Sequence, residues 1–311
     1  MRKVHVITEG ALILAIFLVL MLFALYAPII GTILHLVLPL PFILFTIRHG
    51  IPLSIMMLIA GSILSILFGS ATNILIAFIF GLSGLTMGYF YKRKSPMGAL
   101  IGGSLAYTFS FVITYIGAIL FLKLDFIKVS IGLLEESIEQ SKSIITALDA
   151  NTNVEQQFEQ MEKGLELIHT LTPTIFVTLG ILFALFSHLV AIPVLKRLKV
   201  EVSPLKPFRD LRLPISLIWY YLIVSVLIMI KLDKDSFYFM ALINLYYILQ
   251  FCVLIQGYSF IYYYSYKKGL SKAIPVIAVI ASFLLPIFLY LVRILGIIDL
   301  CFPLRDKITK K

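Results

Sequence analysis

The sequence predicts an all-α integral membrane protein with about nine transmembrane helices, eight being the alternative count, and one extracytoplasmic helical hairpin. Hydrophobic residues make up 60% of the 311 residues, and the mean hydropathy is +1.03, well outside the composition of soluble domains. Apolar runs of about 18 or more residues recur, which is the length that crosses about 30 Å of hydrocarbon. The acidic residues are segregated, since nine of the 16 lie between Leu122 and Leu171.

Nine candidate spans follow one another along the chain. They cover residues 9–27, 29–47, 51–69, 72–91, 97–122, 172–195, 214–231, 236–265 and 273–293. Basic clusters stand at alternate connections, and the positive-inside rule places such clusters in the cytoplasm. We therefore predict a multi-pass protein of the cell membrane with a cytoplasmic N-terminus. Nine spans would leave the C-terminal tail outside, unless the stretch Ile294–Leu304 re-enters the membrane, and the sequence leaves both alternatives open.

The composition divides the chain into three predicted regions. Residues 1–122 form a Gly-rich bundle of five membrane helices, because 13 of the 18 glycines occur by residue 132. Residues 123–171 form an acidic extracytoplasmic hairpin, and residues 172–311 form a Tyr-rich membrane region. In the first region, the Gly84-x3-Gly88 spacing predicts a smooth helix face that a neighbouring backbone can approach closely.

The hairpin is predicted from two runs of apolar residues at heptad spacing. The first run includes Ile127, Ile131, Leu134 and Ile138, and the second, after a break at residues 149–151, includes Phe158, Met161, Leu165 and Ile168. Such spacing is typical of helices that pack along a coiled-coil seam. The two seams either pack on each other alone, or they also dock a partner or cover the mouth of a pocket.

The sequence contains no signature of an enzyme. It has no HExxH, GxSxG or P-loop motif, and its five histidines show no ligand spacing. We therefore predict no catalytic residue, no metal and no cofactor, and any ATP-driven work would need another chain. The basic clusters are read as orientation signals beside the lipid bilayer, with no nucleic-acid partner.

Polar residues deep in predicted spans are costly to bury in lipid, so they are candidate functional residues. A candidate pocket is predicted from six of them: His35, Asn73, His188, Asn244, Tyr247 and Gln250. The amides have the alternative role of bonding across helices. No Asp or Glu is expected inside a span, which argues against an autonomous ion-coupled transporter.

Two stretches carry resemblances to known families. The segment Pro207–Tyr221, together with the layout of the chain, resembles the YybS-like membrane proteins of Gram-positive bacteria, a family of unknown function. The stretch Thr8–Ala15, and Pro39-Leu40-Pro41-Phe42 with the glycines that follow it, look like the first helices of substrate-binding subunits of energy-coupling-factor transporters. That resemblance implies that Ala11 and Ala15 form the Ala-x3-Ala surface that contacts a coupling subunit.

The second resemblance is limited in extent. Those subunits usually have six helices and no long external hairpin, so residues 5–122, with or without the sixth span, are all that would correspond. Two functions are expected from these observations. The first is a transport-type subunit that binds a small solute and relies on a partner ATPase and coupling subunit. The alternative is a non-transporting scaffold or regulatory protein that acts through its external hairpin.

Overall fold

A computed structural model describes residues 2–68, 70, 72–147, 153–203, 205–230, 233, 236–302 and 304–309. All the regular structure in these ranges is helical. The chain divides into two units, Met1–Leu205 and Lys206–Lys311. Each unit is described by itself.

Unit 1 consists of membrane helices with one helical excursion. Its helices are α1 (Arg2–Tyr26), α2 (Pro28–His35), α3 (Pro39–His49), α4 (Ile51–Ser65), α5 (Asn73–Lys92), α6 (Pro96–Gly117), α7 (Phe126–Ala147), α8 (Asn153–Thr170) and α9 (Thr172–Arg197). Several of them begin at proline, which suits the first helical turn because proline lacks the backbone N–H that would have no partner there. Gly50 is the single residue between α3 and α4, and its φ of 85° is a conformation that glycine adopts without strain.

Aromatic side chains fill the core of unit 1. Phe17 on α1 packs edge-on against Phe42 on α3, with ring centroids 4.9 Å apart, and both side chains are fully buried. Gly88 of α5 lies so close to α3 that an added Cβ would stand 2.7 Å from the Ile43 carbonyl oxygen. The predicted close approach at Gly84-x3-Gly88 is therefore confirmed.

Helix α9 belongs to unit 1, although it lies within the predicted C-terminal region, residues 172–311. Two buried hydrogen bonds join it to earlier helices. The Tyr107 hydroxyl on α6 lies 2.8 Å from Ser187 Oγ, and the Tyr91 hydroxyl on α5 lies 2.6 Å from His188 Nδ1. The change in composition at residue 123 marks the start of the hairpin, which is inserted between α6 and α9 of unit 1. The boundary between the two compact units falls near residue 205.

The hairpin helices α7 and α8 contact each other. Asp125 caps the start of α7, because its carboxylate accepts hydrogen bonds from the backbone N–H groups of Lys128 and Ile127 at 3.0 and 3.2 Å. These bonds, chiefly the one from Lys128, hold the pKa of Asp125 below its usual value. The predicted break at 149–151 lies outside the described residues.

Unit 2 contains α10 (Ser216–Ile228), α11 (Phe237–Lys267), α12 (Ala273–Leu284), α13 (Pro286–Cys301) and α14 (Leu304–Thr309). The predicted ninth span, 273–293, is divided at Leu285, whose backbone is extended. The ring of Pro286 explains the division, because a residue before proline is biased away from the helical conformation.

The described residues include six helical segments that are long and apolar enough to cross a membrane. These are Val4–Tyr26, Gly31–His49, Asn73–Lys92, Pro96–Leu122, Thr172–Arg197 and Phe237–Lys267, and shorter apolar helices span Ile51–Ser65, Ser216–Ile228 and Ala273–Leu284. An all-α multi-pass membrane protein is therefore supported. The exact number of crossings stays a prediction.

Candidate functional site

The predicted pocket residues of unit 1 fall into two groups, one near the start of α5 and one near its end. Asn73, at the start of α5, is buried, and its Nδ2 reaches the Ser65 carbonyl oxygen at 3.5 Å. Phe80 lies two turns further along the same helix face. The ring of His35 packs 5.6 Å from that of Phe80, and His35 Nδ1 lies 2.7 Å from the Gly31 carbonyl oxygen. Asn73 and Phe80 therefore share one face of α5, and His35 packs beside Phe80.

His188 lies apart from that group, toward the opposite end of α5. It is 3% exposed, and its ring lies 5.7 Å from that of Tyr91, the hydrogen-bonding partner near the last turn of α5. A His–Tyr pair of this kind satisfies two polar groups that would otherwise be costly in an apolar interior. The pair therefore has a structural role in joining α5 to α9.

The surface of α1 has two faces. Ile13 and Phe17 are buried against the core, whereas Ala11 and Ala15 are exposed on the opposite side. Large apolar neighbours such as Leu12 are exposed on this outer face too. Ala11 and Ala15 are therefore accessible to lipid or to another membrane helix.

A charged group lies near the start of α1. The Glu9 carboxylate forms an ion pair with Arg48 and lies 2.9 Å from His49 Nε2, both at the end of α3. The last carbonyl groups of a helix favour positive charge nearby, so Arg48 and His49 suit this position. Further along the same unit, Lys94 donates to Glu201 at 2.7 Å, which raises the pKa of Lys94 and lowers that of Glu201.

In unit 2, the predicted residues gather around stacked tyrosines. Tyr221 on α10 stacks on Tyr246 on α11, with centroids 5.7 Å apart and rings 12° from parallel. Tyr247 packs edge-on against Tyr246 at 5.8 Å, and Gln250 interacts with Tyr221. Asn244 is buried, and its Nδ2 donates to the Met240 carbonyl at 2.8 Å.

A buried ion pair in unit 2 was not predicted from the sequence. Asp299 near the end of α13 and Arg305 on α14 have side chains that are only 1% and 3% exposed. The Arg305 guanidinium donates from Nη2 to Asp299 Oδ2 at 2.6 Å and from Nε to Oδ1 and Oδ2 at 3.0 Å. Asp299 lies past the predicted ninth span, 273–293, in the stretch Ile294–Leu304, so the expectation of no Asp or Glu inside a span stays a prediction. The isolation of Asp299 within the apolar run of α13 was the signal that could have found it.

One face of α11 supports this pair. Gln256 donates to Asp299 at 2.5 Å and accepts from the Leu213 backbone N–H at 3.0 Å. Ser259, three residues on, accepts from Arg305 at 3.2 Å and donates to the carbonyl oxygens of Phe208 and Leu211. We call Gln256, Ser259, Asp299 and Arg305 the polar cluster, and a cavity of about 240 Å³ lies beside it.

The polar cluster places the C-terminal helix at one end of unit 2. Arg305 also donates to the Arg209 carbonyl at 2.8 Å, so α14 lies beside the segment that precedes α10. The Tyr263 hydroxyl, near the end of α11, donates to the Arg305 carbonyl at 3.2 Å. Helix α12 begins shortly after α11 ends, so it starts at the same end of unit 2 and leads away from it. Helix α13 returns to that end, because Asp299 near its last turn contacts Gln256 and Arg305. This arrangement favours the alternative in which the stretch Ile294–Leu304 re-enters the membrane. The side of the membrane on which the C-terminal tail lies stays a prediction.

Within the described part of the chain, no group of three His, Cys, Asp or Glu side chains is arranged to hold a metal ion. The structure places His35 beside Phe80, on the α5 face that also carries Asn73, and it brings Tyr247 and Gln250 together at the stacked tyrosines. His188 pairs with Tyr91, and Asn244 donates to the Met240 carbonyl of its own helix. The binding roles of all six stay predictions.

The helices, the apolar spans and the buried polar pairs define an all-helical integral membrane protein. The chain belongs to a family described as "Predicted membrane protein (DUF2232)", whose model matches residues 15–300. It is 37% identical over 308 residues to "Uncharacterized protein YybS" of Bacillus subtilis (strain 168), covering 99% of this chain and 100% of that protein. The resemblance to the YybS-like family is therefore confirmed. No solved structure matches the chain.

Proposed function

We propose that this chain is a non-catalytic, solute-binding subunit of a membrane transport assembly. The observation that carries the proposal is the exposure of Ala11 and Ala15 on the outer face of α1, where a partner helix could approach closely. Among its described residues, unit 1 contains five helical segments that are long and apolar enough to cross a membrane, α9 included, and one shorter apolar helix, Ile51–Ser65. The energy-coupling-factor subunits that it resembles usually have six helices.

The solute would bind in unit 1 at the α5 face that carries the buried Asn73 and, two turns on, Phe80, whose ring packs against His35. Phe80 would offer apolar contact, and His35 and Asn73 would offer a few directional hydrogen bonds, a combination that is typical of small-molecule sites. The coupling subunit and the ATPase would be separate chains, because this sequence carries no P-loop.

The first prediction concerns the docking face of α1. Replacing Ala11 and Ala15 together by leucine should reduce recovery of the coupling subunit by about tenfold or more, because larger side chains hold a partner backbone away. Affinity purification in mild detergent followed by quantitative mass spectrometry measures this loss. Ala241→Leu provides a matched control, since Ala241 is also exposed on a membrane helix but belongs to unit 2. Unchanged recovery of a coupling subunit and its ATPase would contradict the proposed docking face.

The alternative function, a scaffold or regulatory protein, is favoured by a different observation. Leu133 and Ile144 on α7 are 63% and 61% exposed, although they belong to a helix outside the apolar spans. Exposed apolar side chains on such a helix are typical of a protein-docking surface.

The second prediction tests that alternative. Deleting residues 126–168 should remove a protein partner that binds the hairpin, as measured by pull-down from solubilised membranes. Leu133→Ser with Ile144→Ser should cause the same loss while leaving the hairpin in place, because truncating apolar interface residues weakens binding. If both variants remain folded and retain every partner, the scaffold function fails.

A further inference from the structure

The hairpin encloses an apolar groove. A cavity of about 460 Å³ lies between α7 and α8, and its walls are mostly aliphatic or aromatic. Phe158 and Leu165 of α8 line it and are buried, and Leu134 and Ile138 of α7 face them. The groove is partly open, so its apolar walls are exposed to water unless an apolar molecule covers them, and that exposure is unfavourable.

The groove continues to the membrane helix α9. A second cavity, of about 290 Å³, lies between α8 and the first two turns of α9, from Thr174 to Leu179. Both cavities are lined by Gly164 and Ile168. Because α9 is one of the apolar spans, a flexible apolar chain can pass from the bilayer into the hairpin along this joined surface.

The side chains in the groove indicate what kind of molecule fits. The Ser141 hydroxyl donates to the Ser137 carbonyl within α7 at 2.7 Å, so this group is already satisfied. An extended protein segment lying in the groove would bury backbone N–H and C=O groups, which need partners. A hydrocarbon chain has no such requirement.

Charged groups lie beside the groove. A neighbouring depression is lined by Glu135, Glu139, Glu162 and Lys142, and it shares Ile138 and Leu165 with the groove. The three carboxylates give this rim a net negative charge that favours a cationic group, and the Lys142 ammonium favours an anionic group beside it. An ammonium and a phosphate, joined to an acyl chain, match this pattern.

We propose that the hairpin binds one acyl chain of an aminophospholipid from the bilayer, with its headgroup at the acidic rim. The chain lies between α7 and α8 and enters past Gly164 from α9. This inference is independent of the proposed transport function, because it uses neither α1 nor the pocket at α5.

The test uses two glycines that both have open space around them. A Cβ added at Gly164 or at Gly132 would meet nothing within 4 Å, but Gly164 lines the groove and Gly132 does not. Gly164→Leu should therefore fill the entrance, and Gly132→Leu on α7 should leave it open. The probe is phosphatidylethanolamine with a photoactivatable acyl chain, in vesicles that hold the full-length protein.

We expect the label to map to peptides of α7 and α8 around Ile138 and Leu165. It should fall by about tenfold in Gly164→Leu, since loss of two buried methylene groups has about this effect on binding. Gly132→Leu should keep the wild-type labelling. The same acyl probe on phosphatidylglycerol should label the hairpin several-fold less.

Three results would overturn the proposal. The label could be confined to the membrane helices, it could persist unchanged in Gly164→Leu, or it could be equal for the two headgroups. Crosslinks between hairpins of two copies, in place of lipid labelling, would assign the groove to a second copy and would likewise overturn it. None of these results bears on the coupling subunit recovered through Ala11 and Ala15.

Discussion

Replacing Arg305 by alanine is expected to lower the free energy of unfolding by about 3–5 kcal/mol. The Asp299 carboxylate is 1% exposed and accepts several of its hydrogen bonds from Arg305. Removing the guanidinium would leave a buried negative charge, and among the contacts of the described residues the hydrogen bond from the Gln256 amide would remain to compensate it. Thermal unfolding in detergent, followed by fluorescence of Trp219, measures the effect in unit 2. Trp219 is the single tryptophan of the chain.

Two further variants distinguish the effect of an unpaired buried charge from a general loss of stability. Arg93→Ala is the matched control, because Arg93 is exposed and stacks on Tyr89, and such contacts contribute about 0.5–1 kcal/mol. Asp299→Leu combined with Arg305→Met should recover much of the loss, since an apolar pair of similar volume removes both buried charges. If Arg305→Ala unfolds at the wild-type temperature, the polar cluster does not stabilise unit 2.

Gly257→Ala is expected to separate α11 from α13 and to destabilise unit 2 by about 1–3 kcal/mol or more. A Cβ on Gly257 would overlap the Val292 carbonyl oxygen, and a Cβ on Gly296 would overlap the Val253 carbonyl oxygen. The obstructing atoms are backbone, so a change of side-chain rotamer does not relieve the overlap. The measurement is again thermal unfolding reported by Trp219.

Gly132→Ala is the control for the change in helix propensity. It should be neutral or slightly stabilising, because alanine favours a helix over glycine by about 1 kcal/mol and Gly132 has open space around it. Wild-type stability in Gly257→Ala would show that the two helices can move apart without cost, contrary to the packing described.

The sequence predicted the long helices because their signal is repeated over many residues. Each apolar run of α5, α6, α9 or α11 contains enough residues to define a span even where its ends are uncertain. The Gly84-x3-Gly88 approach was predictable as well, since close helix packing requires small residues at that spacing.

The features that the sequence did not predict depend on single residues or on distant partners. Pro286 divides an apolar run that composition alone reads as continuous. Asp299 lies just past the predicted ninth span, and its partner Arg305 belongs to the C-terminal tail, whose side of the membrane the sequence leaves open. The assignment of α9 to unit 1 rests on His188 and Ser187, whose tyrosine partners lie 97 and 80 residues away. No local pattern specifies pairings at such separations.

The insertion of the hairpin before α9 has a consequence for biosynthesis. Tyr91 and Tyr107 enter the membrane long before the residues that satisfy their hydroxyl groups have been translated. At about 5–20 residues per second, a delay of roughly 5–20 s separates each tyrosine from its partner on α9. During that interval the face of α6 that later receives α9 is open to lipid or to chaperones of membrane insertion. Nascent chains on ribosomes stalled just before residue 172 should therefore hold unit 1 in a protease-sensitive state. Translation and insertion of the whole of α9, which ends at Arg197, should end that state.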